Sequence, residues 1–159
     1  MTITIYISLV FLALYLIGLV IRRLAFRRDR RRMTEETRSG GRVIAKVEEL
    51  QPGAVKKFWL ICQKYRLDGL LVNDRGSFYA YVNRCRHMAT PLDFVRDEFL
   101  SDDGRFLRCY THGALYEFAT GLCIDGPCKG ESLYRLPVRI DRGEVLVACP
   151  EGELKPLAD

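Results

Sequence analysis

Two short stretches of this sequence carry side chains whose types and spacing suit metal chemistry: Cys85-Arg86-His87 and Cys109-Tyr110-Thr111-His112-Gly113. The chain of 159 residues has only two histidines, and both lie inside these stretches. Thiolate sulfur is a soft, negatively charged donor and neutral imidazole suits iron and zinc, so the four side chains form a metal-binding set. A 2Fe-2S cluster can take two thiolates on one iron and two imidazoles on the other, each loop giving one ligand to each iron. Two neutral ligands in place of two negative ones raise the reduction potential above that of an all-cysteine cluster. A tetrahedral Zn²⁺ uses the same donors. Ordinary zinc fingers, however, group cysteine with cysteine and histidine with histidine, whereas each stretch here mixes the two.

For the donors to converge, the two loops must sit at the tips of neighbouring hairpins on a rigid scaffold. Apolar and β-branched runs recur at Arg42 to Val47, Phe58 to Cys62, Gly69 to Val72, Phe78 to Val82, Leu136 to Ile140 and Val145 to Ala148. Turn signals such as Asn73-Asp74-Arg75-Gly76 and Asp141-Arg142-Gly143 separate them, which predicts an all-β domain. Thr90-Pro91 and Gly113 follow the two ligand stretches, and Gly126-Pro127 lies where a lid over a cluster would be built.

On these motifs the chain resembles the Rieske ferredoxin family over about residues 43–150. The second stretch continues through Ala114-Leu115-Tyr116-Glu117-Phe118 to Thr120-Gly121 and Gly126-Pro127, similar to that family's second ligand loop, following strand and proline loop. The resemblance implies a Rieske-type antiparallel β-sandwich with a cluster-binding subdomain. It also implies one 2Fe-2S cluster per chain on Cys85, Cys109, His87 and His112, with Gly113, Tyr116, Gly126 and Pro127 around it. The stretch from Asp93 to Arg105 departs from the family and is expected to form an enlarged connection on the cluster-bearing subdomain. High-potential members of bc-type complexes link the ligand loops with a disulfide, where this chain has Thr90 and Thr111. They also place a serine and a tyrosine hydroxyl on the cluster, where this chain has Ala114 and Tyr116. One hydrogen bond fewer destabilises the reduced cluster, which implies the lower half of the Rieske span of about −150 to +300 mV.

No residue from Thr2 to Ile21 is charged, and Ile5 to Val20 is apolar almost throughout, close to the length one helix needs to cross a bilayer. A cleaved signal peptide would want positive charge before the apolar run and a small-residue cleavage site after it, and neither is present. Instead Arg22, Arg23, Arg27, Arg28, Arg30, Arg31 and Arg32 follow. The expectation is a transmembrane helix over 1–21, a basic juxtamembrane linker over 22–42, a 2Fe-2S domain over 43–150 and a tail over 151–159. By the positive-inside rule the chain would be a single-pass protein of the cytoplasmic (inner) membrane, with its N-terminus out and its domain in the cytoplasm. The net charge of +5 is concentrated in the 22–42 segment. Lipid headgroups are therefore expected as a partner, and a nearly neutral domain gives no support for nucleic-acid binding.

Of the six cysteines, Cys62 and Cys149 lie within or beside apolar runs and are expected to be reduced and buried. Cys123 and Cys128 flank the proline loop, where a disulfide is the less favoured alternative. With both histidines committed, no mononuclear iron site of two histidines and a carboxylate can be built. Nor is there a glycine signature for a flavin or nicotinamide domain, so no small-molecule substrate is expected. The reading is a membrane-anchored, non-enzymatic carrier of single electrons between protein partners. Arg86, Met88 and the Gly126-Pro127 loop are its expected docking rim. The alternatives are a permanent Rieske subunit of a respiratory, photosynthetic or oxygenase complex, and a redox-silent zinc module.

Overall fold

The structure is a computed structural model that describes residues 12–28, 40–95 and 98–151. Among the described residues the strands are β1 (Arg42–Lys46), β2 (Val55–Cys62), β3 (Tyr65–Asp74), β4 (Ser77–Val82), β5 (Leu107–Arg108), β6 (Leu115–Tyr116), β7 (Cys123–Asp125), β8 (Arg135–Leu136), β9 (Val138–Asp141) and β10 (Glu144–Val147). They form three antiparallel sheets, ordered β1-β10-β9, β2-β3-β4-β8 and β5-β6-β7.

The four-stranded sheet is the middle layer because its strands are apolar on both faces. Successive side chains of a strand point to opposite faces. Leu67 and Leu71 of β3 therefore join one core with Ile44, Val145 and Val147, while Leu70 and Val72 join a second with Leu107, Tyr116 and Cys123. Leu70 and Leu71 are both fully buried, and each contributes about 2 kcal/mol. The first core holds the β1-β10-β9 sheet, and the second holds the small β5-β6-β7 sheet, whose β5-β6 connection contains Cys109 and His112, together with the segment after β4 that contains Cys85 and His87. Tyr81 of β4 joins the layers, its hydroxyl donating to the Phe118 carbonyl at 2.8 Å.

The hairpins turn where the sequence predicts. Arg75 and Gly76 have φ of 53° and 92°, and Arg142 and Gly143 have φ of 48° and 81°, the positive values that two-residue hairpin loops require. The single run expected over Leu136 to Ile140 is divided: β8 pairs with β4 and β9 with β10. Pro137 between them has no N–H to give to a ladder, and its carbonyl accepts from Ala148 at 2.9 Å.

Two further expectations are corrected. Cys62 and Cys149 form a disulfide, with Cα atoms 5.6 Å apart and 87 residues apart in sequence. The transmembrane helix over 1–21, and with it the placement in the inner membrane with a cytoplasmic domain, is overturned: among the described residues no helix is long and apolar enough to cross a membrane. The helix described runs over 12–28 and reaches Arg22 and Arg23 after its uncharged part, 12–21. The rest of the expected span, 1–11, lies outside the described residues, as do most of the 22–42 linker and of the 151–159 tail.

Candidate metal centre

Both candidate ligand loops close with the same two backbone hydrogen bonds. In the first, Cys85 N–H donates to the Thr90 carbonyl at 2.8 Å and Ala89 N–H to the Cys85 carbonyl at 3.0 Å. In the second, Cys109 N–H donates to the Ala114 carbonyl at 2.9 Å and Gly113 N–H to the Cys109 carbonyl at 2.8 Å. The equivalent residues Ala89 and Gly113 both take positive φ, 57° and 78°. Glycine enters that region freely and alanine at a cost. The loops face each other across a Thr90–Thr111 hydroxyl pair at 3.3 Å.

The candidate donors are sorted by burial. Cys85 and Cys109 are buried, whereas His87 and His112 are exposed at the loop tips. The two imidazole rings meet edge to face, with centroids 4.9 Å apart and planes at 82°. The two thiols hydrogen-bond each other, and that bond from Cys109 holds the Cys85 thiol down at about 5 while the Cys109 thiol is pushed up. A metal bound by both sulfurs would displace their protons, since the ligand is the thiolate. Among the described residues no three His, Cys, Asp or Glu side chains gather round one point that could hold a single ion. Imidazole meets imidazole and thiol meets thiol, the division that two metals with unlike ligands require.

The residues around the donors fix them. The Tyr116 hydroxyl lies 3.2 Å from Cys85 Sγ, 3.2 Å from the Arg86 N–H that donates to it and 3.0 Å from Cys128 Sγ. Burial pushes the Tyr116 hydroxyl up, so it keeps its proton as a donor. Gly126 has φ of 99°, and a Cβ there would meet Ala114 Cα at 2.7 Å, so only glycine lets the lid loop approach the second ligand loop this closely. Pro127 follows it, exposed on the lid. The chain leaving the first loop is pinned by Asn83, which accepts from Leu92 N–H at 2.9 Å and donates to buried Asp93 at 2.7 Å. Lys57 pairs with the same carboxylate.

The expected rim is only partly where the sequence placed it. Met88 is 59% exposed. Arg86 instead folds against the domain, its guanidinium bonding Glu131 at 3.1 Å and lying 4.2 Å above the Tyr134 ring. Phe94, 68% exposed, and Val95 stand out from the 93–105 connection, where sequence reading assigned nothing. Also unassigned was the contact of Cys128 with Tyr116, for which the only sequence signal was a second cysteine five residues from Cys123.

A model of the Rieske 2Fe-2S domain matches residues 42–150. Among solved structures, the ferredoxin of carbazole 1,9a-dioxygenase from Nocardioides aromaticivorans IC177 is similar at 25% identity and a TM-score of 0.53, over 68% of this chain and 96% of that one. A ferredoxin in complex with the oxygenase of carbazole 1,9a-dioxygenase is 23% identical, with a TM-score of 0.55, over 67% and 91%. The terminal oxygenase of carbazole 1,9a-dioxygenase from Novosphingobium sp. KA1 shares the fold at 21% identity and a TM-score of 0.57, over 70% of this chain and 30% of that one. No curated protein matches the chain.

Proposed function

The chain belongs to the Rieske 2Fe-2S family, and from that membership we propose that it is a one-electron shuttle whose cluster is held by Cys85 and Cys109 on one iron and by His87 and His112 on the other. The Rieske domain binds a 2Fe-2S cluster, and the chain is a ferredoxin-like electron-transfer protein. The cluster supplies reversible one-electron chemistry. This chain's residues hold it, bury its thiolate end and leave its imidazole end at the surface.

The observation that carries the reading is the sorting of the four donors into a buried thiol pair and an exposed imidazole pair. An electron reaching a partner through His87 or His112 then avoids crossing the protein interior. The electron-transfer unit is residues 43–150, with 22–42 a basic linker and 151–159 a tail. The partner is an oxygenase component, a reading supported by the likeness to a ferredoxin of a dioxygenase over almost all of that ferredoxin's length. Met88, Phe94, Val95 and Pro127 form the docking surface, and their apolar exposure fits a short-lived protein contact.

Anaerobic stopped-flow mixing of the reduced holoprotein with an oxidised Rieske oxygenase tests this. Single-exponential reoxidation that slows in Met88→Asp and Phe94→Asp, at unchanged midpoint potential, is expected. Equal rates in all three proteins would contradict the proposed surface.

A further inference from the structure

Beside the cluster ligands lies a second pair of sulfurs. Cys123 on β7 and Cys128 in the lid loop have Sγ atoms 3.4 Å apart, against about 2.05 Å in a disulfide. Cys123 donates its S–H to the Asp125 carbonyl at 3.1 Å. Cys128 is 7% exposed in a turn whose flanking residues, 125–127 and 129–132, are all exposed. Its sulfur is turned inward to Cys123 and to the Tyr116 hydroxyl at 3.0 Å.

The hydroxyl links this pair to the metal centre. Tyr116 has one proton to give and two positions at which to accept. A Cys85 sulfur on iron can only accept, so it takes the proton across 3.2 Å. The Arg86 N–H fills one accepting position at 3.2 Å, and the Cys128 sulfur lies 3.0 Å from the hydroxyl with one S–H that can turn to the tyrosine oxygen or, across 3.4 Å, to Cys123. Hydrogen bonds in such a chain polarise one another, so a donor behind the tyrosine oxygen strengthens the bond in front of it.

We infer that Cys123 and Cys128 are a redox-active pair whose closure to a disulfide weakens the Tyr116 hydrogen bond to Cys85 and lowers the potential of the cluster. The inference rests on Cys85 being a cluster ligand. A small disulfide such as oxidised glutathione is a sufficient oxidant. Cys128, the more exposed thiol, loses its proton and attacks, forming a mixed disulfide and releasing one reduced glutathione. Cys123 then loses its proton and displaces the second. Two S–H bonds are replaced by one S–S bond, and both electrons and both protons pass to the two glutathione thiols. Cys128 is the attacking thiol because it is the less buried of the two and sits in a turn of exposed residues, and Cys123, 1% exposed on β7, is the resolving one. After closure Cys128 has no proton to donate, and its sulfur lone pairs compete with Cys85 for the tyrosine proton. Both changes weaken the bond that favours the reduced cluster.

The test uses the full-length holoprotein, incubated anaerobically with oxidised glutathione or with dithiothreitol. Mass mapping of alkylated peptides and voltammetry of the cluster are run on both samples. The expected result is a Cys123–Cys128 cross-linked peptide lighter by two hydrogens and a more negative midpoint. Both should be reversed by dithiothreitol and absent in Cys123→Ser. Two cysteines that remain alkylatable throughout, or a cross-link with an unchanged midpoint, would overturn it. Iron and sulfide are assayed in parallel: their absence from the reduced protein would contradict the assignment of Cys85, while the peptide map still decides the thiol pair.

Discussion

Replacing Tyr116 by phenylalanine isolates one hydrogen bond. The side chain is fully buried, and phenylalanine keeps its ring and removes only the oxygen that lies 3.2 Å from Cys85 Sγ. A hydrogen bond to a charged group is worth about 1.5–3 kcal/mol net and a neutral one about 1 kcal/mol. The reduced cluster carries one more negative charge than the oxidised one, so the bond is stronger after reduction by about 1 kcal/mol, the gap between those classes. For one electron, 59 mV corresponds to about 1.4 kcal/mol. Tyr116→Phe should therefore lower the midpoint by about 40 mV. The same change strands the Arg86 N–H, which loses its acceptor, at a cost of about 1–3 kcal/mol in folding stability. Voltammetry of the loaded variant measures the first effect and urea denaturation the second. An unchanged or higher midpoint with the cluster intact would refute the reasoning, because the hydroxyl would then not be donating to cluster sulfur.

Gly126→Ala forces a Cβ to within 2.7 Å of Ala114 Cα at a φ of 99°. It should cost at least about 2 kcal/mol and speed loss of the visible cluster absorbance during unfolding. Ala89→Gly relieves a φ of 57° and should raise stability by about 0.5–1 kcal/mol, read as a higher urea midpoint. Cys62→Ser opens a cross-link spanning 87 residues of sequence, worth up to about 4–5 kcal/mol by loop closure, which a calorimetric melt would register. The Ser101 hydroxyl and Arg105 hold the Asp103 carboxyl down at about 2, below its ordinary 3.8. A depressed acid stabilises above its unfolded value and ceases to do so as pH falls through the folded one. The 101–106 turn should thus stay protected above about pH 4 and open towards pH 2, and amide exchange at Phe106 should lose that acid dependence in Asp103→Asn.

That the two Cys-His stretches must meet was legible because few chemistries use two cysteines and two histidines in mixed pairs, and the loops do face each other. The Arg75-Gly76 and Arg142-Gly143 turns were legible because short hairpin loops demand positive φ. Strands β5, β6 and β7 were not, since two or three residues are too few to show a period. Pro137 was a readable signal that the 136–140 run had to break, as a residue without an N–H cannot continue a ladder. The Cys62–Cys149 bond depends on the fold bringing together residues from β2 and the segment after β10, which local sequence does not encode. Arg86 was placed on the rim from its position between two candidate ligands, but Glu131 and Tyr134 come from a distant segment and draw it inward. The apolar N-terminal run has the composition of a span, but among the described residues no helix is long and apolar enough to cross a membrane.

In the proposed centre His87 and His112 share one iron while Cys85 and Cys109 share the other. Pulsed electron paramagnetic resonance of the dithionite-reduced, full-length holoprotein tests it most directly, with iron and acid-labile sulfide assayed on the same sample. Two irons and two sulfides per chain are expected, with hyperfine couplings from two imidazole nitrogens, one of which disappears in His87→Cys and the other in His112→Cys. A reduced cluster with no imidazole nitrogen coupling, or a protein that binds stoichiometric zinc and takes up no cluster, would contradict it.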